Sequence, residues 1–287
     1  MKQLNFFIEL TRLKKPIGYM LLFWPCAWGL TLAYDFTNNL NKYFLYLALF
    51  FLGAVLMRSA GCIVNDISDK DFDKKVKRTK NRPIAFGDVS IKLGAVYTII
   101  LCSLAFLVLI NFNTLTIILA ICSMPLAFTY PIMKRLTYWP QLFLGITFNY
   151  GLILGWVSIK DNIDIVPMVL YFGAIFWTLA YDTIYGFQDI KDDEIIGIKS
   201  TSIKFKNNPK KFIFTCFLFL TLSILISGYL MNFNFLFYLG TTLLAFHLFF
   251  YQLRIVNLES PESCLKIFKS NNLVGLLVLF NIFLGKF

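Results

Sequence analysis

The chain has 287 residues, of which 58% are hydrophobic and only 15% are charged. A soluble protein of this length does not hide so much apolar surface in one core, which argues against a soluble fold and favours a membrane protein. The net charge of +11 agrees with basic loops beside anionic lipid. Because the basic residues do not gather on a soluble module, no nucleic-acid partner is expected.

Nine apolar runs, each long enough to cross a bilayer as a helix, follow one another along the chain. The third and fourth are separated only by residues 111–113. We therefore expect an all-α integral membrane protein, with about nine transmembrane helices around a central cavity and a single domain over residues 1–287. The runs cover about residues 17–34, 43–64, 93–111, 113–129, 139–158, 164–186, 212–230, 233–253 and 271–286.

The basic residues predict the orientation of these spans, because loops on the cytoplasmic side carry the excess of Lys and Arg. With the N-terminus cytoplasmic, only Lys42, Lys160 and Lys286 fall on the opposite side, and Arg58 falls inside a span. No cleavable signal is recognised at the start, and the excess of Lys over Arg with 32 Phe fits an AT-rich genome. We expect a multi-pass protein of the bacterial cytoplasmic (inner) membrane with its site toward the cytoplasm, a mature mitochondrial protein being the alternative.

Carboxylates gather at two places, each at the end of an apolar segment. In the first, Asp66, Asp69 and Asp73 are spaced i, i+3 and i+7, so they share one face if the second helix continues through them. The second cluster follows the sixth span, four spans after the one that precedes the first cluster. Spans that are four apart cross the membrane in the same direction, so the two clusters can face each other across one cavity. Their oxygen-bearing residues are Asn65, Asp66, Asp69 and Asp73, then Asp182, Tyr185, Asp189, Asp192 and Asp193.

Carboxylates this close repel one another unless a cation neutralises them. Oxygen ligands select Mg²⁺, which shares its coordination sphere with substrate phosphates. Two such clusters at the rim of a membrane domain indicate an enzyme that handles a lipid diphosphate, with Mg²⁺ acting as a Lewis acid. The simpler alternative is a solvated helix end of mixed charge, which explains one cluster more readily than two on the same side.

Two arginines are candidates for binding an anion. Arg58 lies deep in a span, where charges are costly and usually face the protein interior, and it points to the same side as Asn65, seven residues later. It would hold a substrate carboxylate or a phosphate, or form a structural ion pair. Arg135 together with Lys134, in the loop after Tyr130–Pro131, is the second candidate, and ordinary positive-inside charge is its alternative explanation.

The stretch from Arg58 to Asp73, continuing through Arg82 and Pro83, resembles the first signature of the UbiA superfamily of intramembrane aromatic prenyltransferases. Residues 181–193, followed by 197–201, resemble the second signature. Within the superfamily, the details are most similar to the group that prenylates 4-hydroxybenzoate. Further matches are Lys15–Gly18, Trp24–Pro25, Tyr130–Pro131, Lys134–Arg135 and Trp139–Gln141.

The resemblance implies transfer of a polyprenyl chain from polyprenyl diphosphate to the ring of 4-hydroxybenzoate, ortho to its hydroxyl, in ubiquinone biosynthesis. It implies Mg²⁺-assisted ionisation and electrophilic aromatic substitution, with both substrates and membrane lipid as partners and no obligate protein partner. The implied metal ligands are Asn65, Asp66, Asp69 and Asp73 for one Mg²⁺, and Asp189, Asp192 and Asp193 for a second. The implied catalytic residues are Asp69, Asp73, Asp189 and Arg135, and the implied substrate contacts are Arg58, Arg12, Lys199, Tyr185 and Asp182.

Three other functions compete with this interpretation. A cation-coupled transporter would place its carboxylates near the bilayer midplane in broken helices, whereas these lie at helix ends. A CDP-alcohol phosphotransferase would carry an Asp-Gly and Ala-Arg pattern that is missing here. A related prenyltransferase with another aromatic acceptor shares both acidic clusters, and the acceptor side of the pocket decides between them.

Overall fold

The computed structural model describes residues 2–287, and every regular element within that range is a helix. The elements are α1 (Lys2–Thr11), α2 (Ile17–Ala33), α3 (Leu40–Ser68), α4 (Lys70–Asp73), α5 (Pro83–Phe86), α6 (Ile91–Leu109), α7 (Thr114–Leu136), α8 (Pro140–Asn149), α9 (Gly151–Lys160), α10 (Ile165–Gly186), α11 (Ile190–Ile196), α12 (Thr201–Lys204), α13 (Pro209–Leu230), α14 (Phe235–Phe246), a π-helix (His247–Leu253) and α15 (Pro261–Gly285).

The expected membrane architecture is confirmed in this part of the chain. Eight helical stretches are long and apolar enough to cross a bilayer, with α8 and α9 counted as one and α14 joined to the π-helix, and α2 adds an apolar helix of 17 residues. The prediction of an all-α protein with about nine spans is therefore confirmed for the described residues. Met1, part of the predicted 1–287 domain, lies outside them.

Short polar side chains start several of these helices. Asn39, Ser90, Asn113 and Asp164 each accept a hydrogen bond from a backbone N–H in the first turn of the following helix. Such caps satisfy donors that have no partner within the helix. The cap at Asn113 also confirms the narrow separation between the third and fourth spans, since α6 ends at Leu109.

The last helix begins earlier than the apolar run predicted. It starts at Pro261 rather than near residue 271, with Ser260 as its N-cap. Its first turns are polar on one side, but Cys264 and Ile267 are buried on the other. A search for continuous apolar runs misses such an amphipathic turn because its polar face lowers the average hydropathy.

The core brings α2 against α9 and α10. Trp28 and Trp177 are fully buried, with ring centroids 5.0 Å apart. A Cβ at Gly29 would overlap the carbonyl oxygen of Leu152, so only glycine allows this approach of α2 to α9, as in other tightly packed membrane helices. The main core cluster draws side chains from α2 to α15, and we infer from this shared core that the helices form one domain.

A second, smaller core lies under the end of α3. Leu10, Ile63 and Ile84 are fully buried there, and they join α1, α3 and α5. This packing fixes the segment of residues 69–90, hereafter the cap segment, beside the end of α3. It thereby places the basic residues of that segment next to the first acidic cluster.

Candidate active site

The first acidic cluster is held by two arginines. Asp66 is 1% exposed, and Arg12 donates to both of its carboxylate oxygens, with Nη2–Oδ1 at 2.7 Å and Nη1–Oδ2 at 3.2 Å. Nη1 of Arg82 bridges Oδ1 of Asp66 at 3.0 Å and Oδ2 of Asp73 at 2.8 Å. Burial keeps this network away from solvent, so both arginines are needed to neutralise the two carboxylates.

The condition under which the first cluster would share one helix face, continuation of the second span through Asp73, is not met. Helix α3 ends at Ser68, Asp69 caps it, and the short α4 carries Asp73. The chain turns at this point, and Arg82 compensates by drawing Asp73 back toward Asp66. The cluster therefore depends on a long-range bridge rather than on helical spacing alone.

Arg12 itself has an unusual backbone. Its φ of 54° lies in the left-handed region, which costs an L-residue other than glycine about 1–2 kcal/mol. The bidentate contact with Asp66 and the hydrogen bond from Nη1 to the carbonyl oxygen of Leu10 at 3.1 Å help to offset this cost. Arg12 thus links the end of α1 to the cluster.

Asp69 faces the end of α7. Lys134 forms an ion pair with its Oδ2, and Nη2 of Arg135 lies 3.7 Å from its Oδ1. Arg135 instead donates to the carbonyl oxygen of Ser68 at 2.5 Å. Oδ1 of Asp69 is buried and has no hydrogen-bond partner among the described residues, so this oxygen is available to a ligand.

The second cluster is tied to the first by the cap segment. Arg78 donates to Asp189 from Nε at 2.9 Å and from Nη2 at 2.5 Å, and its Nη1 lies 3.2 Å from the hydroxyl of Tyr185. Burial, together with the neighbouring charge of Asp189, raises the pKa of Asp193 to about 6, although the cationic Lys134 acts in the opposite direction. Lys134 therefore influences carboxylates of both clusters.

Other expected site residues lie apart from these contacts. The ammonium of Lys199 donates to the carbonyl oxygen of Leu136 at 3.2 Å, so it caps α7 and does not join the carboxylates. Within residues 2–287, the side chains of Asn65 and Asp192 make no hydrogen bond of their own. Arg58 and Asp182 lie deeper in the bundle.

Two basic residues of the site were missed as site residues by sequence reasoning, namely Arg78 and Arg82, whereas Lys134 was considered there only beside Arg135. Each falls in a loop or at a helix end where a positive charge is expected anyway. The only signal was their place within the stretches that resemble the family signatures. Their partners are carboxylates far away in the sequence, which local spacing does not reveal.

The donors present suit a divalent cation with oxygen ligands. Carboxylates converge from two sides, and Oδ1 of Asp69 is left without a partner. Basic side chains occupy both oxygens of Asp66 and Asp189 and one oxygen each of Asp69 and Asp73. Across residues 2–287, no three His, Cys, Asp or Glu side chains are grouped as a ready-made metal site. A cation together with a phosphate-bearing ligand would have to share these carboxylates with the arginines and the lysine.

Two acidic clusters joined by basic side chains lie at one end of an apolar helical bundle, an arrangement that suits a ligand with a charged head group and an apolar tail. The chain matches the model of the UbiA prenyltransferase family over residues 22–282, and it belongs to that family.

Comparisons with individual proteins agree with this family assignment. The chain is similar to the mitochondrial 4-hydroxybenzoate polyprenyltransferase of Rattus norvegicus, with 43% identity over 97% of this chain and 74% of the relative. Its fold is similar to the apo structure of a UbiA homolog from Aeropyrum pernix K1, with a TM-score of 0.77, 22% identity and coverage of 93% and 98%. It is also similar to a UbiA homolog from Archaeoglobus fulgidus bound to GPP and Mg²⁺, with a TM-score of 0.74, 16% identity and coverage of 97% and 98%.

The predicted location in a bacterial cytoplasmic membrane is wrong. Relatives that are 42–44% identical are mitochondrial enzymes by name. The Lys and Phe excess does not specify a membrane. The start of this sequence also carries no information about a leader. The multi-pass character of the protein is unaffected by this correction.

Proposed function

We propose that this protein transfers a polyprenyl chain from polyprenyl diphosphate to 4-hydroxybenzoate, at the ring carbon ortho to the hydroxyl, as a step of ubiquinone biosynthesis. The observation that carries the proposal is the joining of two acidic clusters by basic side chains at one rim of the bundle. Family membership supports it, and so does the similarity along almost the whole chain to enzymes named 4-hydroxybenzoate polyprenyltransferase.

The proposed cofactor is Mg²⁺, and the solved relative bound to GPP and Mg²⁺ supports this choice. When bound, it supplies Lewis-acid neutralisation of the leaving diphosphate. We assign Asn65, Asp66, Asp69 and Asp73 to one ion, and Asp189, Asp192 and Asp193 to a second. Asp69 is the foremost ligand of the first set because its Oδ1 is unengaged, whereas both oxygens of Asp66 already accept from arginine.

Basic side chains of the site would bind the diphosphate. Arg78, Lys134 and Arg135 reach the rim from the cap segment and from α7. Their cationic donors form strong hydrogen bonds to phosphate oxygens. They would stabilise the charge that develops on the diphosphate as its bond to the prenyl carbon breaks.

The helical bundle protects the reaction from water. As the allylic C–O bond breaks, the prenyl carbon becomes electrophilic, and water would hydrolyse it. The apolar interior accommodates the hydrocarbon chain and lets the electron-rich ring form the new C–C bond. The ring carbon then loses its proton to a base, which restores aromaticity.

A prenyl-transfer assay tests this function. Membranes containing the protein are incubated with radiolabelled 4-hydroxybenzoate, a polyprenyl diphosphate and either Mg²⁺ or EDTA. Label that enters the lipid phase only with Mg²⁺ supports the reaction and the acceptor. Product with another aromatic acid, but none with 4-hydroxybenzoate, would keep the family and discard the assigned acceptor.

A further inference from the structure

Residues 197–202, hereafter the anchor segment, lead from the second acidic cluster back into the helical bundle. Ser200 is 6% exposed, and Thr201 and Ser202 are fully buried. Buried polar groups need hydrogen-bond partners within the protein, because they cannot turn to bulk water. In the anchor segment these partners come from three helices, α7, α8 and α10.

The first of these helices is α7. The backbone N–H of Lys199 donates to the carbonyl oxygen of Lys134 at 2.9 Å, and its ammonium donates to the carbonyl oxygen of Leu136 at 3.2 Å. The side chain of Lys134 meanwhile forms the ion pair with Asp69. Lys134 therefore contacts the first acidic cluster through its side chain and the anchor segment through its backbone.

Helices α8 and α10 supply the remaining contacts. Oε1 of Gln141, on α8, accepts from the backbone N–H of Thr201 at 3.0 Å. The hydroxyl groups of Thr183, on α10, and Thr201 are hydrogen-bonded at 2.6 Å, and Oγ of Ser202 donates to the carbonyl oxygen of Thr183 at 2.8 Å. Since Thr183, Thr201 and Ser202 are fully buried, loss of one partner would leave a polar group unsatisfied.

Gly186 lets Ser202 approach the end of α10. A Cβ on Gly186 would overlap Oγ of Ser202, so a residue with a side chain would push the anchor segment away from the helix. Gly186 is the last residue of α10 and precedes Asp189 by three residues. The two ends of the loop that carries the second cluster are thus fixed against each other.

Helix α11, which carries Asp192 and Asp193, is not itself held in the core. None of its seven residues is buried. The ion pair of Asp189 with Arg78 is partly open to solvent, since the Arg78 side chain is 43% exposed, and exposed pairs contribute little to stability. The hydrogen bonds of the anchor segment therefore set where the carboxylates of the second cluster lie relative to Asp69.

We propose that the anchor segment and its partners position the second acidic cluster opposite the first. The positioning residues are Gln141, Thr183, Thr201 and Ser202. They act on the diphosphate and its cation through the carboxylates of the loop, without touching either ligand. The inference rests on the proposed function for its kinetic readouts only, since the order of the loop is measurable without substrate.

Two variants of Thr183 test the anchor by kinetics. Thr183→Val keeps the shape of the side chain but removes its hydroxyl, whereas Thr183→Ser keeps the hydroxyl. With geranyl diphosphate, Mg²⁺ and 4-hydroxybenzoate, we expect Thr183→Val to raise KM for the diphosphate and the Mg²⁺ concentration at half-maximal rate by about fivefold or more, as expected for one lost hydrogen bond. KM for 4-hydroxybenzoate should stay within about twofold, and Thr183→Ser should restore the two raised values.

Thr241→Val is the matched control. Thr241, on α14, is also buried and also hydrogen-bonded, to Nδ2 of Asn281 at 2.8 Å, but it lies outside the anchor. Its replacement should lower the thermal unfolding temperature, as Thr183→Val does, and leave the three kinetic values unchanged.

Gly186→Ala tests the anchor from the side of α10. The added Cβ meets Oγ of Ser202, so we expect the same rise in KM for the diphosphate and in the Mg²⁺ requirement. In the double variant, Ser202→Ala removes that oxygen, and the loss should be smaller than for Gly186→Ala alone. A loss equal to the sum of the two single variants would count against the contact.

Hydrogen exchange in detergent, without Mg²⁺ or substrate, measures the order of the loop directly. The amides of residues 190–201 should exchange about tenfold faster or more in Thr183→Val and Gly186→Ala, and at an unchanged rate in Thr241→Val. Unchanged exchange in both anchor variants overturns the proposal, and so does a raised KM for 4-hydroxybenzoate alone.

Failure of the unmodified protein to transfer a prenyl group would overturn the proposed function instead. The exchange rates then still decide whether the anchor fixes the loop. If Thr183→Val does not fold, Gly186→Ala and its double variant decide, and unchanged exchange in Gly186→Ala rejects the proposal.

Discussion

Replacing Asp69 by Asn removes one negative charge at the point where α3 ends. The side chain keeps its size, but the ion pair with Lys134 and the charge on the unengaged Oδ1 are lost. Loss of one group that stabilises charge in a transition state lowers kcat by roughly 100- to 1000-fold. We therefore expect Mg²⁺-dependent transfer to fall by about that factor.

The same change should leave the protein folded. Removing one partner of a fully buried ion pair costs about 3–5 kcal/mol, whereas exposed pairs contribute about 0–1 kcal/mol. Asp69 is buried, but the side chain of Lys134 is 23% exposed, so water replaces part of the lost contact. We expect a loss of about 2 kcal/mol in the free energy of unfolding, which thermal unfolding in detergent can measure.

Asp71→Asn is the matched control for this prediction. It removes the same charge two residues away, but the Asp71 side chain is 85% exposed and, within residues 2–287, pairs only with Lys74. Its activity should stay within twofold of the unmodified protein. The reasoning is refuted if Asp69→Asn retains a third or more of the activity, or if Asp71→Asn loses as much.

Three further predictions concern the ion-pair network of Asp66, the open space beside Gly61 on α3 and the divalent cation. Asp66→Asn leaves Arg12 and Arg82 without their shared carboxylate. It should lower the free energy of unfolding by about 2–3 kcal/mol and expose the end of α1 to protease. Protease resistance equal to that of the unmodified protein would contradict this. Gly61→Leu fills the open space on α3 one turn before Asn65 and should reduce transfer at least tenfold with little change in thermal stability, whereas Gly53→Leu, which also meets open space but lies twelve residues before Asn65, should not. Chelation of divalent cations should abolish transfer, and added Mg²⁺ should restore it, while Na⁺ at equal ionic strength should have no effect.

The sequence predicted the membrane spans well because each needs a long apolar run, and that requirement is local. The prediction of elements from the sequence failed where an element is amphipathic or short. The polar first turns of α15 were left outside the ninth span, and α1 and α5 were not predicted. Those two helices are stabilised by Leu10 and Ile84 in the small core under α3, which is a tertiary effect.

Sequence spacing predicted the acidic half of the site, whereas Arg12 and Arg135 were predicted only from the family resemblance, and Arg78 and Arg82 were not predicted. Carboxylates in close sequence spacing stand out against an apolar chain, so Asp69 and Asp189 could be singled out. Their partners are distant, with Lys134 65 residues from Asp69 and Arg78 111 residues from Asp189. Charge in a loop is expected on membrane topology alone, so nothing in the local pattern separates a ligand-binding arginine from a topological one.

The backbone at Arg12 has a consequence for substitution at this position. Glycine is the residue best suited to a φ of 54°, yet it has no side chain to reach Asp66. Local conformational preference and long-range electrostatics therefore favour different residues at position 12. Asparagine, which tolerates this conformation better than most residues, is too short to restore the bidentate contact. With arginine at this position, the ion pair with Asp66 outweighs the cost of the left-handed backbone conformation. A survey of all substitutions at position 12 would therefore rank residues by side-chain length and charge rather than by turn propensity.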